Sequence, residues 1–147
     1  MRGDLKVFIC EYFQIINLTR VLTMNIYCCT CGSEVEARLT SGIEIYPHRE
    51  DLCDLPFWIC SCGSFVGCHH KTKDRTRPLG VIPSDEIKAY RRKIHAVLDP
   101  LWKNKVRTRG ALYSELTQVL GREYHTAELK TVDECEAILN HIQTTYY

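Results

Sequence analysis

The sequence lacks the signatures of membrane, secreted and catalytic proteins. No apolar run reaches eighteen residues, so no transmembrane helix is predicted. No small-residue cleavage site follows the partly apolar N-terminal segment, so we predict no signal peptide and expect an intracellular protein. The sequence also contains no phosphate-binding loop, no nucleophile elbow and no cysteine–histidine or carboxylate constellation with motif spacing. We therefore expect a protein that is not an enzyme.

The composition is that of a folded protein with many cysteines. Hydrophobic residues make up 45% and charged residues 25% of the 147 positions, which are values typical of globular proteins. There are nine cysteines, and several of them form short-spaced pairs. In a chain without an export signal, such pairs suit a metal ion better than a disulfide. We therefore interpret the paired cysteines as candidate metal ligands.

Two of these cysteine pairs have the pattern of a structural zinc site. The predicted ligands are Cys28, Cys31, Cys60 and Cys62. A glycine directly follows the second cysteine of each pair, where it allows the positive φ that folds the turn back. Four thiolates complete the tetrahedral coordination of Zn²⁺ and leave no open position for a catalytic water. The sequence therefore predicts a structural Zn²⁺ ion.

The second pair leaves alternative ligands open because it is shorter than the first. One residue separates its two cysteines, whereas two residues separate the cysteines of the first pair. Cys68 or His69, a few residues farther along, could replace one ligand of the second pair. Cys29 could compete with Cys28 in the first pair. The remaining interpretation is that these are buried or free thiols, since cysteine is often only a core residue.

The residue pattern predicts an α+β chain in which a zinc-ribbon-like β module of two hairpins precedes a small three-helix part. Alternation over residues 35–39 and 43–46, with a turn at Ser41-Gly42, predicts the first hairpin. Strand-like residues at 57–59 and 64–66 predict the second hairpin. Each hairpin has a cysteine pair nearby, which is the plan of a zinc ribbon.

Helix signals dominate the C-terminal half. Ser84, Thr108 and Thr131 are predicted N-caps of three helices, and Gly121 is predicted to end the second helix. Asp99-Pro100 is predicted to end the first helix, because proline lacks the amide proton that the helix needs. We predict three segments: 1–25 as an N-terminal extension or peripheral strand, 26–83 as the zinc-ribbon-like module, and 84–147 as a helical part packed on it.

The formal net charge of +1 hides a strongly basic middle segment. Residues 68–109 contain twelve basic and four acidic residues, a net charge of +8, whereas 1–67 and 110–147 carry −3 and −4. Such a segment indicates an anionic partner. We expect charge reversal at Arg91 and Arg92 to weaken nucleic-acid binding without unfolding the protein. The predicted nucleic-acid-binding residues are Lys71, Lys73, Arg75, Arg77, Lys88, Arg91, Arg92, Lys103 and Lys105.

Two simpler interpretations compete with this one. The basic residues could form an ordinary solvated surface whose charges mix with acidic ones after folding. Four aromatic residues could stack on nucleobases, but in a small zinc module each is more readily interpreted as a core residue. These residues are Trp58, Phe65, Tyr90 and Trp102.

Several motifs between residues 26 and 142 are specific in combination. They are Tyr27-Cys28-x-x-Cys31-Gly32, Trp58 to His69, Pro78-Leu79-Gly80, Arg91 to His95, Asp99 to Lys103 and Arg122 to Ala127. Together they resemble the zinc-finger-containing domain family of bacteriophages and bacteria. The resemblance implies a zinc-bound fold and a phage or prophage origin, and thus the cytoplasm of a bacterium or of a phage-infected host cell. The resemblance does not indicate which activity the protein has.

The sequence therefore predicts a non-catalytic zinc-binding module that binds nucleic acid through its basic segment. The alternative is a phage-type protein-interaction factor that binds and modulates a host or defence protein, because a basic surface can also meet an acidic protein patch. No membrane partner is predicted. The sequence does not indicate DNA or RNA as the ligand, nor an oligomeric state.

Overall fold

The computed structural model describes residues 21–147, which divide after Ile82 into two compact units. The first unit is rich in β-strands, and the second, which begins at Pro83, is helical. This confirms the predicted α+β chain with a zinc-ribbon-like module followed by helices. The first twenty residues of the predicted extension over 1–25 lie outside the described residues. No helix within 21–147 has both the length and the apolar character that a membrane crossing requires.

A four-stranded antiparallel sheet forms the first unit. Its strands, in spatial order, are β1 (Thr23–Cys28), β2 (Ser33–Ser41), β3 (Pro56–Ile59) and β4 (Phe65–Gly67). Cys28 lies opposite Ser33 in the first hairpin, and Ile59 lies opposite Phe65 in the second. Because neighbouring strands run in opposite directions, the two hairpin turns lie at the same end of the sheet.

One face of this sheet carries the hydrophobic core of the first unit. Alternate residues of each strand point to the same face, which explains why the buried residues are two apart. Ile82 completes the core and is held to β1, since its amide donates to the Tyr27 carbonyl at 2.8 Å and its carbonyl accepts from the Cys29 amide at 2.8 Å. The core residues are Ile26, Cys28, Ala37, Leu39, Trp58, Cys60, Val66, Cys68 and Ile82.

The predicted strand over residues 43–46 is wrong, because the chain forms one helical turn there, α1 (Gly42–Ile45). Strand β2 continues to Ser41 and pairs with β3, and the Gly42 amide donates to the Leu55 carbonyl at 3.0 Å. Arg38 on β2 then binds Glu44 of α1 through two hydrogen bonds of 2.7 and 3.0 Å. These long-range contacts override the local alternation, so β1 and β2 form the first hairpin instead.

Three longer helices make up the second unit: α2 (Asp85–Lys103), α3 (Arg109–Leu120) and α4 (Val132–Tyr146). The predicted caps are confirmed, because the side chains of Ser84, Thr108 and Thr131 each accept a hydrogen bond from a backbone amide three residues ahead. Helices α2 and α3 both pack against α4. The buried helix residues are Ile87, Ile94, Leu98, Leu101, Leu112, Leu116, Cys135, Ile138 and Ile142.

Helix α2 passes through Pro100, so the predicted end at Asp99-Pro100 is wrong. Proline removes one amide donor, but its carbonyl still accepts from the Asn104 amide at 2.9 Å. Leu101 is 4% exposed, and its burial favours a further helical turn after the proline. Burial of Leu101 therefore outweighs the loss of a single helical hydrogen bond.

A carboxylate joins α3 to the last turns of α4. The Tyr146 hydroxyl donates to one Glu115 oxygen at 2.6 Å, and the other oxygen lies 2.6 Å from His141 Nε2. The hydrogen bond from Tyr146 lowers the pKa of Glu115 more than burial raises it. The carboxylate therefore stays ionised while it holds the two helices together.

Candidate metal centre

The first cysteine pair lies in the turn between β1 and β2. Cys28 is the last residue of β1, and Cys31 lies in the turn after two intervening residues. The Gly32 amide donates back to the Cys28 carbonyl at 2.8 Å, and Gly32 has a φ of 70°. A side chain at this φ would be strained, so glycine lets the chain reverse directly after the second cysteine.

The second pair occupies the equivalent turn between β3 and β4. The Gly63 amide donates to the Cys60 carbonyl at 2.9 Å, and Gly63 has a φ of 93°. This turn is one residue tighter than the first, because its hydrogen bond spans three residues instead of four. Cys62 nonetheless keeps its place directly before the glycine. The short spacing is thus accommodated by a tighter turn.

The two turns bring the four predicted thiols together, with all four Sγ atoms within 4.8 Å of one another. Cys28 Sγ lies 3.7 Å from Cys62 Sγ, and Cys31 Sγ lies 3.7 Å from Cys60 Sγ. A tetrahedral ion with Zn–S bonds of about 2.3 Å separates its sulfur ligands by about 3.8 Å. The four thiols are therefore spaced as the four ligands of a tetrahedral Zn²⁺ ion.

A hydrogen bond between side chains also links the two turns. Thr30 Oγ1 and Ser64 Oγ lie 2.7 Å apart, each one residue from a cysteine or glycine of its turn. This contact was not predicted from the sequence, although two hydroxyl residues beside the paired turns are a visible signal. The bond supports the relative position of the two turns independently of a metal.

The thiols differ in burial and in their affinity for protons. Cys28 and Cys60 are buried in the core, whereas Cys31 and Cys62 are exposed. The hydrogen bond with Cys60 raises the pKa of Cys31 to about 12, and the Ser64 hydroxyl lowers the pKa of Cys62 to about 6. Burial raises the pKa of Cys28. Because a metal binds thiolates, loading Zn²⁺ into this site releases protons.

The three alternative ligands are not part of this group. In the part of the chain that the structure describes, the converging ligand atoms come from Cys28, Cys31, Cys60 and Cys62. Cys68 is instead a core residue, 4% exposed, and burial raises the pKa of its thiol to about 11. Cys68 thus packs in the core instead of joining the four converging thiols.

Comparison with known proteins agrees with the geometry. A family model described as a zinc-finger-containing domain matches residues 24–145. The chain belongs to this family. Comparison with curated proteins and with solved structures gives no match. Family membership and the four-cysteine cluster together identify a zinc-binding module.

Four of the predicted nucleic-acid-binding residues lie on one loop of the first unit, between β4 and Ile82. We call residues 71–77 the basic loop; its cations are Lys71, Lys73, Arg75 and Arg77. All four side chains are exposed. Among the described residues, no ion pair engages any of these four. The basic loop thus presents its positive charge to solvent.

The basic loop is anchored at both ends and in its interior. The His69 amide donates to the Arg77 carbonyl at 2.8 Å, and the Leu79 amide donates to the Gly67 carbonyl at 2.9 Å. Trp58, 3% exposed, donates from its indole nitrogen to the Thr76 carbonyl at 2.6 Å. Trp58 is therefore a core residue and a loop anchor, and it is too buried to stack on a nucleobase.

Some of the predicted basic residues on α2 already contact partners within the second unit, unlike the cations of the basic loop described above. Arg91 donates to the carbonyls of Ala127 and Leu129 at 2.8 and 3.3 Å. These bonds hold α2 to the segment between α3 and α4. Lys88 lies 3.9 Å from the Asp85 carboxylate. Because these contacts hold the second unit together, we now expect charge reversal at Arg91 to destabilise the fold as well. Arg92 is exposed.

The remaining predicted residues lie at the end of α2 and just after it. Lys103 and Lys105 are exposed, and the Lys103 ammonium lies 5.4 Å from the centre of the Trp102 ring. Of the other aromatic candidates, Phe65 packs edge to face against Tyr46 and Phe57 in the first unit. These rings thus have intramolecular partners.

Proposed function

We propose that this zinc-binding module is not an enzyme and that it binds nucleic acid through the basic loop. The observation that carries the proposal is the group of four exposed cations within seven residues of an anchored loop, none of which has an ion-pair partner within residues 21–147. Phosphates are bound mainly by such cations, each contact releasing counterions from the nucleic acid. The Zn²⁺ ion, with four thiolates, has a structural role.

The anchoring of the basic loop strengthens this proposal. A flexible loop loses conformational entropy when it binds, whereas an anchored one has already been ordered by folding. The zinc site holds the two hairpin turns, and Trp58 on β3 holds the loop through Thr76. Metal binding and phosphate binding are thereby connected through the same small sheet.

Salt dependence tests the proposal. If all four cations contact phosphates of duplex DNA, log K falls with log salt with a slope of about −3.6, or about 150-fold from 50 to 200 mM. The variant K71Q/K73Q/R75Q/R77Q removes these contacts. We therefore expect the part of the slope of log K against log salt that comes from the basic loop to disappear in this variant. Binding of the wild type and the variant is measured by fluorescence anisotropy, with single-stranded and duplex oligonucleotides compared in parallel.

Arg49 supplies a matched control in the same unit. It is an exposed cation already paired with Asp51 at 2.7 Å, so R49Q should leave the affinity and the salt slope unchanged. Equal affinity of the fourfold variant and the wild type for both kinds of oligonucleotide contradicts the proposal. Capture of an acidic protein from nuclease-treated lysate by the wild type, lost in the fourfold variant, then supports the protein-interaction alternative.

A further inference from the structure

A cavity in the second unit lies against one side of α3. Its volume is about 470 Å³, which is within the range of small-molecule binding sites. Helix α3 ends at Gly121, whose φ of 78° turns the chain back so that residues 123–125 run beside the helix. Its lining includes Arg109, Tyr113, Gln118, Glu123 and His125. We call this cavity the α3 pocket.

The floor of the α3 pocket is fixed by buried contacts. Tyr124 is 1% exposed, and its hydroxyl lies 2.6 Å from the hydroxyl of Thr126. The Tyr124 amide donates to Thr117 Oγ1 at 3.0 Å, and this oxygen donates in turn to the Tyr113 carbonyl at 2.8 Å. The pocket is thus formed by folding and does not require a ligand to shape it.

One end of the α3 pocket combines a cation with aromatic rings. The Arg109 guanidinium lies 4.6 Å from the centre of the Tyr113 ring and donates to its hydroxyl at 3.1 Å. The His125 ring centre lies 6.5 Å from that of Tyr113. Arg109 is exposed and has no carboxylate partner among residues 21–147. Such a flat, cationic surface suits a planar ring that carries an anionic group.

The other end of the α3 pocket carries groups that recognise polar edges. Gln118 is nine residues after Arg109, about 13 Å along the helix axis at 1.5 Å per residue. Its amide both donates and accepts, and the Glu123 carboxylate, 3.2 Å from His125, accepts. These groups match the amino and ring-nitrogen edge of a nucleobase.

From this arrangement, the geometry points to a binding site for one nucleotide in the α3 pocket. Arg109 holds the phosphate, Tyr113 and His125 contact the base, and Gln118 and Glu123 bind its polar edge. This inference does not depend on the basic loop, which belongs to the other unit. Each of the two proposals can therefore fail while the other stands.

The test is titration of the full chain, loaded with zinc, with adenosine 5′-monophosphate, followed by nitrogen–proton NMR. We expect saturable shifts at Tyr113, Gln118 and His125, with a dissociation constant on the order of 0.1 to 1 mM for such an open site. Adenosine alone and inorganic phosphate alone should each bind more weakly, because each engages only one end. Absence of saturable shifts with the nucleotide would overturn the inference.

Two variants and one control locate the site. Y113L should weaken binding by roughly 5- to 100-fold, the effect of losing one base–aromatic stack. R109Q should weaken binding of the nucleotide but not of adenosine, and it keeps the test valid if Y113L does not fold. R107Q is the control, because Arg107 lies outside the pocket, 3.6 Å from Glu115. Wild-type affinity in R109Q, or equal losses in R107Q and R109Q, also contradicts the inference.

Discussion

Replacement of Trp58 by phenylalanine is expected to loosen the basic loop without disturbing the zinc site. The indole donates to the Thr76 carbonyl at 2.6 Å, and phenylalanine cannot make this bond. A hydrogen bond contributes about 0.5 to 1.5 kcal/mol, and the volume lost in the core adds about 1 kcal/mol. The total of about 2 kcal/mol corresponds to a roughly 30-fold higher population of the opened loop.

Limited digestion with trypsin measures this change directly, because the basic loop contains three bonds that trypsin cleaves, after Lys71, Lys73 and Arg75, whereas Pro78 blocks cleavage after Arg77. When opening is fast relative to cleavage, the cleavage rate follows the population of the open form. We expect W58F to be cut within residues 71–77 between about 5 and 30 times faster than the wild type, at unchanged zinc content. Cleavage after Arg49, in a different loop, provides the internal reference.

Trp102→Phe is the matched substitution elsewhere in the chain. Its indole nitrogen donates to the Asp99 carboxylate at 3.4 Å, a long contact within the second unit, so the cleavage rate of the basic loop should not change. Equal cleavage rates in W58F and the wild type would refute the reasoning that Trp58 anchors the loop. Faster cleavage in W102F as well would show a general loss of stability instead.

Three further predictions concern stability. Arg91→Gln should lower the free energy of unfolding by about 2 kcal/mol, because Arg91 makes charge-assisted bonds to two carbonyls. Arg92→Gln should change it by less than about 0.5 kcal/mol. Equal effects of the two substitutions in urea denaturation would contradict this prediction. Gly42→Ala places a Cβ in collision with the backbone carbonyl oxygen of Leu52 and should lower the free energy of unfolding by about 2 kcal/mol or more. Gly110→Ala, with open space around it, should stabilise α3 by about 0.5 kcal/mol. Thermal unfolding of the two variants distinguishes these effects, and a G42A variant as stable as the wild type would be the contrary result. Because the folded-state pKa of Glu115 lies below its unfolded value of about 4.3, its contribution is present above that value and is lost as the pH falls through the folded pKa. The stability of E115Q should therefore fall less than that of the wild type between pH 6 and 3, and parallel pH profiles would contradict this.

Features that depend on neighbours in the sequence were predictable. The cysteine–glycine turns need only a few consecutive residues, because the thiols and the positive φ of Gly32 and Gly63 belong to the same short segment. The three N-caps are likewise local, since each hydroxyl binds an amide three residues ahead. The α+β organisation follows from the change of periodicity along the chain.

Features that depend on distant partners were not predictable from local pattern. The turn of helix at Gly42 follows from pairing of β2 with β3 and from the bonds of Arg38 to Glu44. Arg91 belongs to a basic run in the sequence, but its carbonyl partners lie 36 and 38 residues farther along. Charge alone therefore did not distinguish a structural arginine from those exposed on the basic loop.

X-ray absorption at the zinc edge of the purified protein reports on the coordination of one Zn²⁺ by Cys28, Cys31, Cys60 and Cys62. We expect one zinc per chain and a first shell of four sulfur atoms at about 2.3 Å. C29S and C68S should give the same spectrum as the wild type, since neither residue belongs to the converging group. A nitrogen at about 2.0 Å in the first shell, or loss of a sulfur in either variant, would show that these four thiolates are not the ligand set.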